Sequence, residues 1–322
     1  MKGERPRKAT HTEVLGNSAR ACGSVFISGE YLILEGEAAL LSAVNRYAFA
    51  EKTEGRGYRV EGIDGTQLDL PKAVCEILGL SADVLEGIRS SVVGLGSKDR
   101  QKYGLSSSAA SCVALTRLLG PAMGDTELAI AAGKAHRIFQ KGKGSNADIQ
   151  MAVLEGSAVL YQQREKAAAL GRRIPFPSDL RCALVWMASP AKTVSFIHRF
   201  KKAQADLGAE LRLLTENNKK VIEAFETANL SDFLGYLELQ DERLKDLGEK
   251  IGAPIHVPAH SALKKACSAS RIEGEFVAKV SGSGGGDISL VFGHRDADWD
   301  SLFSRLPVEV HLLEIEVDAR SE

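Results

Sequence analysis

Cysteine is sparse in this chain of 322 residues: Cys22, Cys75, Cys112, Cys182 and Cys267 are scattered, and no CxxC pair occurs. An odd, dispersed set argues against a disulfide framework and fits reduced core thiols in a cytoplasmic protein. Neither sign of charge dominates, with 41 Lys and Arg against 42 Asp and Glu and a net charge of -1. That balance offers no general attraction to nucleic acid or to an anionic membrane, so any anionic ligand must be held by local features. No apolar run approaches the roughly 18 residues that a membrane span needs. The basic start "MKGERPRKATHTEV" has no apolar segment behind it, and no signal peptide is expected. Internal repeats and low-complexity tracts are also lacking. The pattern G-x-x-x-x-G-K-[ST] does not occur, which excludes an ordinary P-loop. The expectation from these absences is a soluble, cytoplasmic protein without a nucleic-acid or membrane partner.

What is present suits a folded protein: 44% of residues are hydrophobic and 26% charged. The length favours two domains, and the segment 164–177, "REKAAALGRRIPFP", mixes charge with Gly and Pro as a junction does, giving an expected division into 1–165 and 166–322. Residues 23–44 read as two strands and a turn, and strand texture continues through "GYRVEGIDG". Helical spacing runs from Pro71 to Leu95, and "SSSAASCVALTRLLG" is a helix small and apolar on most faces, hence buried. A further helix covers "TELAIAAGKAHRIFQ", and "SAVLYQ" is a strand. Beyond the junction come a strand at "RCALVWMAS" and two or three charged amphipathic helices over 196–248, punctuated near Asn229. A helix from about His260, strands at "EFVAKVS" and "DISLVF", a helix around 296–305 and a strand at "VEVHLLEIEV" complete the chain. Without a regular βαβ repeat the class is α+β.

Three loops carry candidate chemistry. In "KYGLSSSAAS", Ser106, Ser107 and Ser108 stand where a helix begins. Free N–H groups there favour phosphate, and hydroxyls can bind phosphate oxygens or Mg2+, although an N-cap serine reads the same way. "KVSGSGGGD" places four glycines in the five positions 282–286 between two strands, more than a hairpin needs. Close approach of a ligand or another backbone accounts for them, or else a hinge. In "GKGSNADIQ", Asp148 is either a helix cap or a reactive carboxylate. His136 is read as a packing residue ahead of a metal ligand. His256 and His260 are separated by Pro258 and preceded by Pro254, so a zinc pair on one helix face is not expected. Trp186 and Phe196 are assigned to the core. The Lys201–Lys250 helices offer a solvated face or a homodimer surface.

In order and spacing, the three loops resemble the GHMP kinase superfamily. "GLSSSAAS" is similar to its phosphate loop G-L-G-S-S-A, "GEYLILEGEAALLSAVNRYAFAE" to its first motif and "KVSGSGGGDISLVF" to its third. Within the superfamily, "KYGLSSSAAS" and "HRIFQKGKGSNADIQMAV" resemble the phosphomevalonate kinases, and "VWMASPAKT" is similar to their W-T-G-x-x-A-S-T strand. The resemblance implies a ribosomal-protein-S5-like N-terminal domain, a ferredoxin-like C-terminal domain and ATP bound with Mg2+ at their junction. It further implies transfer of the γ-phosphoryl group to a small-molecule acceptor, mevalonate 5-phosphate in the nearest pattern. The alternatives are mevalonate or another acceptor, a related decarboxylase, or a weakly active ATP-binding homologue.

By the same resemblance, Asp148 is the catalytic aspartate, and Ser24 stands where the family commonly has a lysine. Lys102, Gly104, Leu105, Ser106, Ser107, Ser108 and Ala109 would hold the nucleotide, with Ser107 or Ser108 on the metal. Glu30, Tyr31, Gly144, Ser145, Asn146 and Lys192 would face the acceptor, together with Ser281, Gly282, Ser283, Gly284, Gly285, Gly286 and Asp287. Ser106 and Asn146 each replace a family glycine, and Met187 and Ala188 replace the Thr-Gly of the W-T-G strand. A phosphate acceptor needs cations more than a base, and Lys102, Lys141, Lys143, Lys192 and Lys279 are the candidates.

Overall fold

Alternating apolar residues build the first strand, β1 (Ser18–Ser28), with Ala21, Val25 and Ile27 turned into the core. The computed structural model describes residues 16–62, 68–96, 102–142, 144–156, 158–162, 170–188, 193–269, 275–313 and 316. A short 3-10 turn at Leu32–Glu35 returns the chain into β2 (Ala38–Lys52), which pairs antiparallel with β1. The register slips between Cys22 and Gly23 and again between Phe26 and Ser28. These bulges bracket Ser24. Next follow β3 (Arg59–Glu61), α1 (Asp69–Leu78), β4 (Ile88–Ser91), α2 (Ser107–Leu119), α3 (Asp125–Phe139), α4 (Ala147–Leu154), β5 (Ala158–Gln162) and β6 (Arg172–Ile174). The first sheet has the order β3-β4-β2-β5-β6, with β1 on β2.

The helical spacing read from Pro71 to Leu95 does not hold throughout. Gly79 takes φ +67° and its amide closes on the Cys75 and Glu76 carbonyls, which ends α1, and residues 88–91 form a strand. As expected, α2 is buried: Ala109 to Thr116 and Leu118 are covered by β1, β2 and the neighbouring helices. Its Ala, Ser and Cys side chains let it lie this deep.

The second sheet is built from β7 (Leu180–Trp186), β8 (Phe276–Val280), β9 (Ile288–His294) and β10 (His311–Leu313), antiparallel throughout in the order β10-β7-β9-β8. Between β7 and β8 run α5 (Thr193–Ala203), α6 (Gly208–Glu226), α7 (Leu230–Lys250) and α8 (Pro258–Ser268), and α9 (Trp299–Ser304) precedes β10. The Asn229 side chain caps α7 by accepting the Asp232 N–H. The first sheet thus continues to Ile174, past the expected division at 165/166, and the second begins at Leu180. Phe196 lies in the core, whereas Trp186 is only half-buried, edge-on to Tyr103 at 5.3 Å.

The two sheets are tied across β1. Ser281 Oγ accepts the Phe26 N–H at 3.0 Å and donates to the Phe26 carbonyl at 3.1 Å. Lys279 of β8 is fully buried and pairs with Glu30, which follows β1. Asn218 of α6 donates to the Ala38 carbonyl at 2.8 Å and accepts from Ser28.

Candidate active site

The site grows from the meeting of β1 with the start of α2. Gly23 lies so close to Leu105 that a Cβ there would sit 2.8 Å from the Leu105 carbonyl, and Ser24 N–H donates to that carbonyl. The contact brings Ser24 beside Ser106, whose hydroxyl donates to the Ser24 carbonyl at 3.4 Å. Ser106 caps α2 with φ +57°, the left-handed conformation a glycine takes at no cost. Ser107, Ser108 and Ala109 follow in the first turn, where a helix offers its own N–H groups no acceptor. Gly104 (φ +84°) abuts Asp287 of the glycine-rich motif, and a Cβ on it would lie 2.7 Å from the Asp287 Cβ. Two of the three loops are therefore in contact.

The third loop joins through Asp148, in the first turn of α4. Asn146 caps this helix with φ +62°, a conformation asparagine tolerates better than most residues, and its side chain rests against Gly133 of α3. Burial pushes the Asp148 carboxyl up to about 6, while the Ser106 and Ser24 hydroxyls work in the opposite direction. Asp148 Oδ1 and Ser24 Oγ are both buried without a hydrogen-bond partner. Ser24, Ser106 and Asp148 thus form one cluster, and it presents unsatisfied oxygens. Gly144 and Ser145 lead into it, and Ser145 Oγ accepts the Ala147 N–H at 3.4 Å.

The glycine-rich loop closes over the base of the second sheet. Gly284 and Gly285 carry positive φ, and a Cβ on either would lie within 2.6 Å of the Ile255 carbonyl or the Phe196 ring. Close backbone packing, rather than a hinge, requires these glycines. Gly285 N–H donates to that same Ile255 carbonyl at 2.8 Å, and the Asp287 carbonyl accepts the Met187 N–H. Ser283 meets two side chains, Tyr31 through its carbonyl at 2.8 Å and Thr193 through its hydroxyl at 2.9 Å. Thr193 carries no local sequence signal for this contact beyond its place at the end of "VWMASPAKT".

Several candidates are placed differently from their anticipated roles. Glu30 and Ser281 are engaged in the ties between the sheets, and burial lifts the Glu30 carboxyl above its ordinary range with Lys279 acting against it. Lys279, a candidate cation for substrate, is buried and paired with Glu30. Lys102 and Lys141 are exposed, while Lys143 and Lys192 lie outside the described residues. His136 does more than pack: its Nε2 is 3.1 Å from Ser108 Oγ, and burial pushes the ring's pKa down to about 4, so it is neutral at physiological pH. Pro254 and Pro258 do not keep His256 from His260. Their rings are 4.5 Å apart, and both face Asp241 of α7, a residue with no local sequence signal.

Residues 70–156, from α1 to just past α4, match the family model described as the GHMP kinases N terminal domain. The curated proteins contain no match. Among solved structures, Streptococcus pneumoniae phosphomevalonate kinase in complex with phosphomevalonate and AMPPNP superposes with a TM-score of 0.76 at 21% identity, covering 93% of this chain and 99% of that one. L. major mevalonate kinase in complex with R-mevalonate gives 0.71 at 18% identity, covering 97% and 100%. Mevalonate pyrophosphate decarboxylase from Streptococcus pyogenes gives 0.68 at 11%, covering 96% and 99%. At these identities the structural likeness speaks for the fold, and the sequence match speaks for the segment that holds Ser106, Ser107, Ser108 and Asp148. Residues 70–156 thus match the GHMP kinase N-terminal family model, and over nearly its whole length the chain has the α+β fold seen in these solved kinases.

Proposed function

We propose that this chain is an ATP- and Mg2+-dependent kinase that transfers the γ-phosphoryl group to mevalonate 5-phosphate. The observation that carries the kinase reading is the cluster of Ser24, Ser106 and Asp148 at the start of the buried helix α2, with the Asp148 and Ser24 oxygens left unpartnered. Phosphoryl transfer asks mainly for positioning and charge neutralisation. The first-turn amides of α2 suit nucleotide phosphates. Mg2+ takes oxygen ligands and would be held by the Ser107 or Ser108 hydroxyl, where it supplies positive charge to the phosphates. Neutral His136 fixes the direction of the Ser108 hydroxyl. Gly282, where a side chain would meet open space, leaves the turn of this loop free to come near the phosphates and acceptor. Support for the 5-phosphate acceptor comes from the phosphomevalonate-kinase-like "KYGLSSSAAS" and from the likeness to the S. pneumoniae enzyme.

A second reading is favoured by Asp148 itself. A carboxyl with a pKa of about 6 is a competent base near neutrality, which an alcohol needs and a phosphate monoester does not. On that reading the acceptor is mevalonate or another alcohol. The test offers mevalonate and mevalonate 5-phosphate separately, with ATP and Mg2+, and identifies products by mass spectrometry. Diphosphomevalonate from the second substrate, lost in Asp148→Ala, is the expected result. Product from mevalonate alone moves the assignment to a hydroxyl kinase, and ATP binding without product from either defeats both acceptors.

A further inference from the structure

A second cluster of donor atoms lies at the root of the glycine-rich loop, outside the proposed phosphoryl-transfer machinery. Asp241 comes from the middle of α7, His256 from the turn before α8 and His260 from the first turn of α8. Asp241 and His260 are fully buried, and the His256 side chain keeps 8% of its surface. His256 Nε2 lies 3.2 Å from Asp241 Oδ1, and His260 Nε2 lies 3.2 Å from Oδ2. A set of ligand atoms, one from each residue, falls within 4.8 Å of one another. A zinc tetrahedron with bonds of about 2.0–2.1 Å places its ligand atoms roughly 3.3 Å apart.

Two features distinguish this arrangement from an ordinary hydrogen-bonded aspartate. His256 Nε2 is buried and has no hydrogen-bond partner, despite its closeness to the carboxylate. It is an orphaned donor atom aimed into the cluster. His260 Nδ1 is held by Ser289 Oγ at 2.8 Å, which locks the ring with Nε2 toward Asp241. Metal-ligating imidazoles are oriented in this way, through the nitrogen that does not touch the metal. Cationic charge is already drawn to the spot: Lys264 Nζ lies 2.9 Å from Asp241 Oδ2 and also bonds Glu242.

We propose that Asp241, His256 and His260 form a binding site for a divalent transition-metal ion of the zinc type, distinct from the Mg2+ of phosphoryl transfer. Two imidazoles and one carboxylate form a nitrogen-rich donor set that suits Zn2+, whereas Mg2+ and Ca2+ favour oxygen throughout. Water fills the fourth position, and Lys264 withdraws to Glu242 as the ion enters. The ion cross-links α7 to α8. Because Asp241 Oδ1 also accepts the Val280 N–H at 3.0 Å, it stiffens the strand end from which the glycine-rich loop departs.

The test strips the full chain with a chelator, dialyses it against micromolar ZnCl2 and measures bound zinc by elemental analysis, with the thermal midpoint read in parallel. Co2+ serves as a spectroscopic probe of tetrahedral geometry. The expected result is about one zinc per chain, a raised midpoint and a cobalt spectrum of tetrahedral type. His256→Gln removes a nitrogen that makes no hydrogen bond, so the variant should fold as the parent does yet lose both zinc and the gain in midpoint. Ser289→Ala should weaken zinc binding by roughly 10- to 100-fold. Lys264→Leu removes the competing ammonium and should tighten it. Absence of zinc from both the parent and Lys264→Leu overturns the proposal, as does zinc binding by His256→Gln at the parent's affinity.

Discussion

Asp148 and Asp241 are both buried carboxylates, and their environments drive them to opposite sides of the ordinary range. Around Asp148, burial prevails over two serine hydroxyls and the carboxyl rises to about 6. Around Asp241, burial is the largest single influence and acts to raise the carboxyl, yet the two imidazoles beside it, His256 and His260, together hold it well below its usual value. The difference lies in the partners rather than in depth. Hydroxyl dipoles leave a carboxylate reactive, whereas a surround of imidazoles and an ammonium satisfies it. The first arrangement suits proton transfer and the second suits holding helices, or a cation, in place.

Removing each carboxylate should expose that division. Asp148→Ala is expected to lower phosphoryl-transfer kcat by roughly a hundred- to ten-thousandfold without lowering the midpoint of chemical unfolding. Asp241→Asn should do the reverse: stability falls by about 3–5 kcal/mol in denaturant titrations, because the buried charge that His260, Lys264 and the Val280 N–H all face is removed. A severe kinetic defect in a stable Asp241→Asn protein would break the comparison. Glu30→Gln, which abandons Lys279 at the tie between the sheets, should cost a similar amount.

The pH dependence sharpens the contrast. The folded Asp148 carboxyl keeps its proton to about pH 6, whereas the unfolded one releases it near 4. Folding therefore takes up a proton in that window, and stability declines as pH rises through it. Asp148→Asn should equal the parent at pH 4 and exceed it in stability at pH 8, while the parent's rate should fall as pH drops below about 6. Ser24→Lys puts a cation beside the carboxylate and should carry that acid limb to lower pH; an unmoved limb would mean another group sets it. The smallest effect is expected at Ser106. Ser106→Gly relieves a left-handed serine and should add up to about 1 kcal/mol in the same unfolding assay.

Much of the architecture was legible locally. The serine run followed by small apolar residues specified α2 and its burial, and the charged stretch broken at Asn229 specified α6 and α7. Strand β4 was not legible, since residues 88–91 carry too few apolar side chains to stand out from the helix before them, and Gly79 was needed to end it. The candidate site divided in the same way. Ser106, Ser107, Ser108 and Asp148 belong to continuous motifs with helix starts behind them. Glu30, Ser281 and Lys279 also sit in motifs, but a motif does not say whether a side chain faces a ligand or ties two sheets together.

Composition, periodicity and short-range spacing were enough to give the α+β class and the order of the loops, and the resemblance of those loops to a known family pointed to their chemistry. Tertiary structure alone decided that Ser24 meets Asp148 across 124 residues, that Lys279 is spent on Glu30, and that Asp241 gathers His256, His260 and Lys264. Each is a long-range pairing in low dielectric, where the partner sets the charge state of the group. No local pattern encodes which partner will arrive.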